Sequence, residues 1–275
     1  MTLLEMTPVQ NILICPKCQR NLQPQKNALT CRLCNHRFET KNGVLDLRPQ
    51  SYDKKSETDW LRHWSGDSQQ SFSQRFFSFY RKAVFARTVS YYFERFFPKR
   101  GVFVEAGSGT SESSERIDKK NGDRTLIAAD IVLPILDHCH PIMDIKICCD
   151  IFRLPFADNS LNGIWNLGVM EHFIDSQIDA ILREFRRVLA PGARVILFWP
   201  GTNSLPQKIL RLLEKLINFR GKNRDFKFHP DEISQLKSAK QGYDILRRNG
   251  FEPKFVDYGF RSLMAFRTLV GEKKE

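Results

Sequence analysis

From residue 101 onward one pattern recurs: a short apolar run, a polar turn, then apolar residues at helical spacing. The apolar runs at 101–105, 126–129, 145–149, 163–167 and 193–199 have the length of buried strands. The first run ends at Glu105, and Asp130 and Asp150 directly follow the next two. Between the fourth and fifth runs, residues 177–189 carry a helical period that Pro191-Gly192 closes. Residues 233–248 read as a further helix stopped by Asn249-Gly250, with two last strands at 254–257 and 263–270. Strands alternating with helices predict an α/β fold, a doubly wound and mostly parallel sheet with helices on both faces.

The first hundred residues follow a different pattern. Residues 1–48 read as a small unit of their own, punctuated by Pro16 and Pro24 and ending in a turn at Asn42-Gly43 before the alternating Val44-Leu45-Asp46-Leu47. Residues 49–98 read as a linker followed by a helical segment. The linker, 49–70, is polar; the segment 72–97 is aromatic at helical spacing and ends at Pro98. Phe76, Tyr80, Val84, Arg87 and Tyr91 fall near one face, which predicts a core-packing helix; aromatics interleaved with arginines also suit base stacking. Residues 99–275 then form the sheet domain, with an insertion at 201–229 longer than an ordinary strand–helix connection. In it Leu205, Ile209, Leu212, Leu213, Leu216 and Ile217 fall at helical spacing, with Lys208, Arg211, Lys215, Arg220 and Lys222 among them. That pattern fits a basic amphipathic lid over an acceptor pocket that touches an anionic membrane surface, or a packing helix with solvated lysines.

Composition narrows the class. Of 275 residues, 41% are hydrophobic and 27% charged, which excludes a wholly disordered chain. No apolar run approaches the roughly 18 residues of a membrane span, and the opening MTLLEMTPVQ has no signal-peptide pattern, so a cytoplasmic protein is expected. The net charge of +12 is uneven: residues 1–100 hold 17 Lys/Arg against 8 Asp/Glu. Such a basic front end attracts RNA, an anionic membrane surface or an acidic substrate, unless it is simply a solvated surface.

Four of the seven cysteines form two pairs, Cys15-Pro-Lys-Cys18 and Cys31-Arg-Leu-Cys34. Each CxxC turns two thiolates toward one point, and two of them complete a tetrahedral shell suited to zinc. Four protein ligands leave no open position, so such a zinc is structural and supplies folding free energy to a unit too small to bury much core. A redox dithiol is the competing reading. The fragment resembles the zinc ribbons that precede some methyltransferases. Cys139, Cys148 and Cys149 lack ligand spacing and read as small buried residues, and His36 as a surface residue.

The segment Val104-Glu105-Ala106-Gly107-Ser108-Gly109 is a strand running into a glycine turn, where a backbone without side chains can approach a ligand closely. A helix is expected to begin near residues 111–114. Asp130 lies 21 residues beyond Gly109, where a carboxylate can accept from a ribose diol. The order E-x-G-x-G, an acid after the second strand, DIFRLPFADNS, NLGVMEHF and RRVLAPGARVILF resembles the class I S-adenosylmethionine-dependent methyltransferases over residues 75–270. That resemblance implies a seven-stranded Rossmann-like sheet with its last strand antiparallel, and S-adenosylmethionine across the strand ends. It implies that Glu105 helps hold the cofactor's ammonium group, and that Gly107 and Gly109 pass beneath its methionine part. Asp130, with Ile131 beside it, would bind the ribose; Asp150 and Ile151 would frame the adenine; Asn166 would lie near the transferring methyl. Glu171 and His172 match the family's EH pair, read here as a loop-stabilising contact ahead of a catalytic one. The third glycine of the usual loop is Ser111, whose hydroxyl can cap a helix.

The resemblance implies methyl transfer and leaves the acceptor and any catalytic residue undetermined. Neither an Asn-Pro-Pro-Tyr-type motif nor a Pro-Cys nucleophile motif stands at the fourth strand, where Asn166-Leu167-Gly168-Val169 is found, which argues against adenine-N6 or cytosine-C5 methylation. Three functions are carried forward. The first is a methyltransferase for a small-molecule, lipid-linked or glycan-type acceptor, suggested by the EH pair. The second is an RNA methyltransferase, suggested by the ribbon and the basic front end. The third is a non-catalytic binding protein on the same fold.

Overall fold

The structure is a computed structural model that describes residues 9–25, 28–49, 81–120, 122–201, 233–257, 259–262 and 264–274. All of the expected linker at 49–70 but Pro49, together with Phe76, Tyr80 and the body of the 201–229 insertion, lies outside the described residues. Four short strands come first: β1 (Leu22–Gln25), β2 (Ala28–Cys31), β3 (Arg37–Lys41) and β4 (Val44–Asp46). Each pairs antiparallel with the next. Lys41 faces Val44 across Asn42 (φ 50°) and Gly43 (φ 78°), and two consecutive positive φ values give the hairpin turn that matches strand twist.

Seven more strands follow: β5 (Arg100–Ala106), β6 (Asp123–Asp130), β7 (Ile145–Cys148), β8 (Leu161–Leu167), β9 (Leu189–Pro200), β10 (Phe251–Val256) and β11 (Phe266–Lys273). β7, β6, β5, β8 and β9 are parallel neighbours, and β11 lies antiparallel between β9 and β10. This is the doubly wound seven-stranded sheet with an antiparallel last strand that the family resemblance implied. Helices α1 (Ala86–Phe96), α2 (Leu133–Asp137), α3 (Asp175–Val188) and α4 (Ala239–Arg248) connect the strands.

The front unit is joined to this sheet. β4 pairs in parallel with β7, Leu45 opposite Ile147 and Asp46 opposite Cys148, so one array runs β1-β2-β3-β4-β7-β6-β5-β8-β9-β11-β10. Alternation along β4 places Val44 and Leu45 in two different cores, both fully buried. One core holds Leu13, Leu29, Phe38 and Leu45 together with Ile127, Ile147 and Phe156. The expectation of a separate unit over 1–48 therefore meets a shared sheet and a shared core.

Four local expectations are corrected. In place of a helix at 111–114 there is one 3-10 turn, Glu112–Ser114, without a serine cap, because Ser111 is left-handed (φ 54°) and only Ile117 is buried in the polar run that follows. α4 begins at Ala239 rather than 233, because Ser238 caps it by accepting from the Gln241 amide (3.1 Å). β11 begins at Phe266, after a 3-10 turn at Phe260–Ser262. α1 is a core-packing helix, but its buried face is Ala86, Val89, Tyr92 and Phe93; Arg87 of the expected stripe is exposed. Phe93 meets Phe103 and Trp165 at ring separations of 5.3 and 5.1 Å.

Candidate cofactor site and cysteine cluster

Parallel register brings the carboxyl ends of β5, β6 and β7 to one edge, with Glu105, Asp130 and Asp150 at those ends. The loop after β5 is pinned there: Gly107 and Ser108 donate their amides to the Ala129 carbonyl at 2.8 and 3.1 Å. Gly107 (φ 72°) has no alternative, because a Cβ would lie 2.6 Å from Val169 Cγ2. Gly109 (φ 51°) donates to Asp130 Oδ2 at 2.8 Å, and Val132 donates to Asp130 Oδ1 at 3.0 Å. Ser111, where the third glycine is expected, holds a glycine's conformation (φ 54°, ψ 19°) at about 1–2 kcal/mol for a side-chain-bearing residue. The loop path is thus kept without the glycine.

The strand-end carboxylates are desolvated. Glu105 is 2% exposed; Ser114 Oγ donates to its Oε2 (2.9 Å), and Trp165 Nε1 donates to that hydroxyl (3.2 Å). Burial pushes Glu105 up to about 7, the Ser111 and Ser114 hydroxyls pull it back, and the Asp130 charge adds to the rise. Asp130 and Asp150 are also raised by burial, against the amides they accept from; for Asp150 that amide is Phe152 (2.9 Å). Ile131 and Ile151 sit half-buried beside them. Asn166 on β8 is fully buried, and neither atom of its amide has a hydrogen-bond partner among the described residues. Unpaired amides in a core cost on the order of 1–3 kcal/mol, and a polar ligand relieves that cost. Three desolvated carboxylates and one orphaned amide suit a cationic ligand bearing hydroxyls.

Glu105 makes a pH prediction. Its folded value lies above the ordinary 4.5, so its contribution to stability is full below pH 4.5 and is lost as pH rises through 7. Wild-type chain should lose up to about 3 kcal/mol relative to Glu105→Gln between those limits. Urea unfolding of both chains from pH 4.5 to 8 reads the difference, which also cancels the opposite slope of Glu94 and Glu272, held low by basic partners, and of Asp179, held low by the Asn249 amide and Arg248. Parallel profiles would remove the buried-acid assignment.

Cys15, Cys18, Cys31 and Cys34 converge with all four sulfurs within 4.8 Å of one another. Cys15–Cys34 and Cys18–Cys31 are 3.6 and 3.3 Å apart, and Cys18–Cys34 is 3.9 Å. Four Zn–S bonds of about 2.3 Å in a tetrahedron set sulfurs about 3.8 Å apart, so the shell fits zinc. Each pair is followed by a left-handed residue, Gln19 (φ 58°) and Asn35 (φ 52°), which folds the chain back so that Cys15 donates to Arg20 and Cys31 to His36 carbonyls. The His36 ring sits edge-on to Phe38 at 4.5 Å, a packing contact. Of the other cysteines, Cys148 and Cys149 are buried and Cys139 is half-buried, its thiol 3.4 Å from Ser111 Oγ.

The methyltransferase domain family matches residues 104–197, which span the loops after β5, β6, β7 and β8. Residues 104–197 thus carry a methyltransferase domain. Curated relatives include the probable tRNA methyltransferases 9B of mouse and human, 35% identical over 71 residues that cover 22% of this chain and 16% and 15% of theirs. This chain thus spans about a sixth of their length. In fold it is similar to magnesium protoporphyrin IX methyltransferase from Synechocystis PCC 6803 with bound S-adenosylhomocysteine, at 17% identity and TM-score 0.55, covering 81% of this chain and 100% of that one. It is also similar to a chain from the complex between the Haloferax volcanii Trm112 methyltransferase activator and a methyltransferase, at 13% identity and TM-score 0.54, covering 81% and 98%. Among the described residues no helix is long and apolar enough to cross a membrane.

Within this methyltransferase domain the EH pair has a structural part. Met170–His172 is a 3-10 turn in which Glu171 is 5% exposed and its carboxylate lies 4.0 Å from His172 Nε2. The Glu171 carbonyl accepts from Ile233 (2.7 Å) and Ser234 (2.9 Å), and Ser234 Oγ donates to the Met170 carbonyl (2.9 Å). The turn thereby holds the chain where it returns from the insertion. Sequence reasoning missed Ser114 and Trp165 as partners of Glu105, since no spacing rule links residues 9 and 60 positions away.

Proposed function

We propose that this chain transfers a methyl group from S-adenosylmethionine, with Glu105, Gly107, Gly109, Asp130, Ile131, Asp150, Ile151 and Asn166 forming its cofactor site. The observation that carries the reading is the desolvated acidic edge, which is unfavourable without a cation and which Asn166 completes with an unpartnered amide. When bound, the cofactor supplies an already activated sulfonium methyl. The chain's part is then to orient the cofactor, exclude water and align the acceptor in line with that methyl. Glu105 would face the ammonium group, Asp130 the ribose, and Asp150 the adenine amine. The cysteine cluster would hold a structural zinc, with 1–48 as its ribbon.

Two acceptor classes divide the reading. The sequence favours a small-molecule, lipid-linked or glycan-type acceptor, on the EH pair. The geometry weakens that warrant, since Glu171 and Met170 serve the returning chain. An RNA acceptor has its own support in the tRNA methyltransferase relatives and in Lys17, Arg20, Arg32, Arg37 and Lys41, all exposed on the ribbon. The activator complex among the structural neighbours supports a search for a protein partner as well. Labelled methyl transfer from S-adenosylmethionine to fractionated cell extract tests the reading. Label lost on RNase treatment supports RNA, label that follows lipid extraction supports the first class, and no incorporation into any fraction counts against methyl transfer.

A further inference from the structure

The loop that carries Asp150 is gripped from two sides. On one side, α3 holds it: Glu184 Oε1 accepts from Leu154 N (2.7 Å), and Arg187 donates to the carbonyls of Leu154 (2.9 Å) and Phe156 (2.8 Å). The other side is the chain that leads into the first cysteine pair. Ile14 donates to the Pro155 carbonyl (3.0 Å), Ala157 donates to the Ile12 carbonyl (2.7 Å), and Leu13 bridges antiparallel to Phe156, both fully buried. Arg153 Nη2 donates to the carbonyl of Lys17, inside the turn between Cys15 and Cys18 (3.2 Å). Below it, Leu47 donates to the Cys148 carbonyl (2.8 Å), two residues before Asp150.

These contacts form a route with no gap. The shell of thiolates fixes the turn 15–18, the turn fixes the strand-like stretch 12–14, and that stretch pairs with 155–157. Residues 150–158 also have the α3 side chains, the Phe152–Phe173 ring contact (5.4 Å) and their own turn, in which Arg153 donates to the Asp150 carbonyl (3.0 Å). We infer that metal and cofactor binding are thermodynamically linked in this chain: the ribbon's first cysteine pair holds the 150–158 loop in the conformation that presents Asp150 to the cofactor. This rests on the zinc and cofactor assignments proposed above. Linkage is reciprocal, so whatever the metal adds to cofactor affinity, the cofactor adds to metal retention.

The test uses the zinc-loaded full chain and S-adenosylhomocysteine as probe. Zinc release to a graded series of a chromogenic chelator is followed to equilibrium with and without saturating probe, and the chelator concentration needed for half release should rise about fivefold or more with it. Hydrogen exchange on the same samples should show added protection at 12–15 and 155–157 beyond that on β9 and β11. Calorimetry should find the probe bound at least about fivefold more weakly to chelated chain; the release arm needs no metal-free protein, so unfolding on chelation does not remove the test. Probe that binds yet leaves zinc release unchanged overturns the linkage while the cofactor site stands. Tighter zinc retention with uniform protection across the sheet overturns the local route. Absence of any probe binding, or of any zinc in the purified chain, overturns the site assignments themselves and the linkage with them.

Discussion

Replacing Cys31 with serine is expected to lower the unfolding temperature of the whole chain in a single transition. Structural zinc contributes on the order of 10 kcal/mol of apparent binding free energy to small zinc domains near neutral pH. If losing one thiolate forfeits only a third of that, a chain of this size should lose about 10 °C. A free-standing ribbon would keep that loss to itself. Here Cys31 is fully buried in the same cluster as Ile127, Ile147 and Phe156, and β4 closes the edge of β7. Loosening the ribbon therefore exposes one flank of the methyltransferase sheet to water, and the two parts should melt together. Differential scanning calorimetry of wild type and Cys31→Ser decides this. Two transitions, with the higher one unmoved by the substitution, would show an independent ribbon and defeat the expectation.

The order of the strands was legible in the sequence because each apolar run is short, buried and bounded by an acid or a glycine turn. Asp130 could be placed because a carboxylate at a strand end is a local feature. The joining of β4 to β7 was not legible, since Val44-Leu45-Asp46-Leu47 reads as an edge strand of any small unit, and nothing local tells which sheet receives it. The missing helix after β5 misled for the opposite reason: a strand running into a glycine turn leads one to expect a helix, whereas the polar run from Glu115 to Asn121 offers Ile117 alone to a core. Ser111 shows a third kind of difficulty. Its side chain suggested a helix cap, yet the residue is left-handed, and the hydroxyl faces Glu105 and Cys139 instead. Of the site, the acids and glycines were visible as letters in a strand–turn frame. Their burial, which sets their charge, is a property of the packed sheet, and so is the unpartnered amide of Asn166.

Asp130→Ala should then produce the largest loss of cofactor affinity among single changes at this edge. The carboxylate has two tasks in the structure, one toward the ligand and one toward the loop. Its oxygens already accept one amide each, from Gly109 and Val132, and an ionised carboxylate has further lone pairs for two ribose hydroxyls. Loss of a ribose acceptor alone weakens binding by roughly 1–3 kcal/mol. Releasing Gly109 also frees the turn that must lie beneath the methionine part, which brings the expected loss to about 2–4 kcal/mol, or thirtyfold and more in affinity. Folding should suffer less, because burial holds the Asp130 carboxyl above its usual range, so its charge is a burden to the unliganded fold that alanine removes. Asparagine is not expected to rescue binding, since its amide nitrogen must confront the Gly109 or the Val132 N–H, a donor against a donor. Calorimetric titration of both variants with S-adenosylhomocysteine, beside their thermal midpoints, separates the two effects. A folded Asp130→Ala chain with wild-type affinity would remove Asp130 from the ribose site, and with it the reading of this edge as a nucleoside pocket.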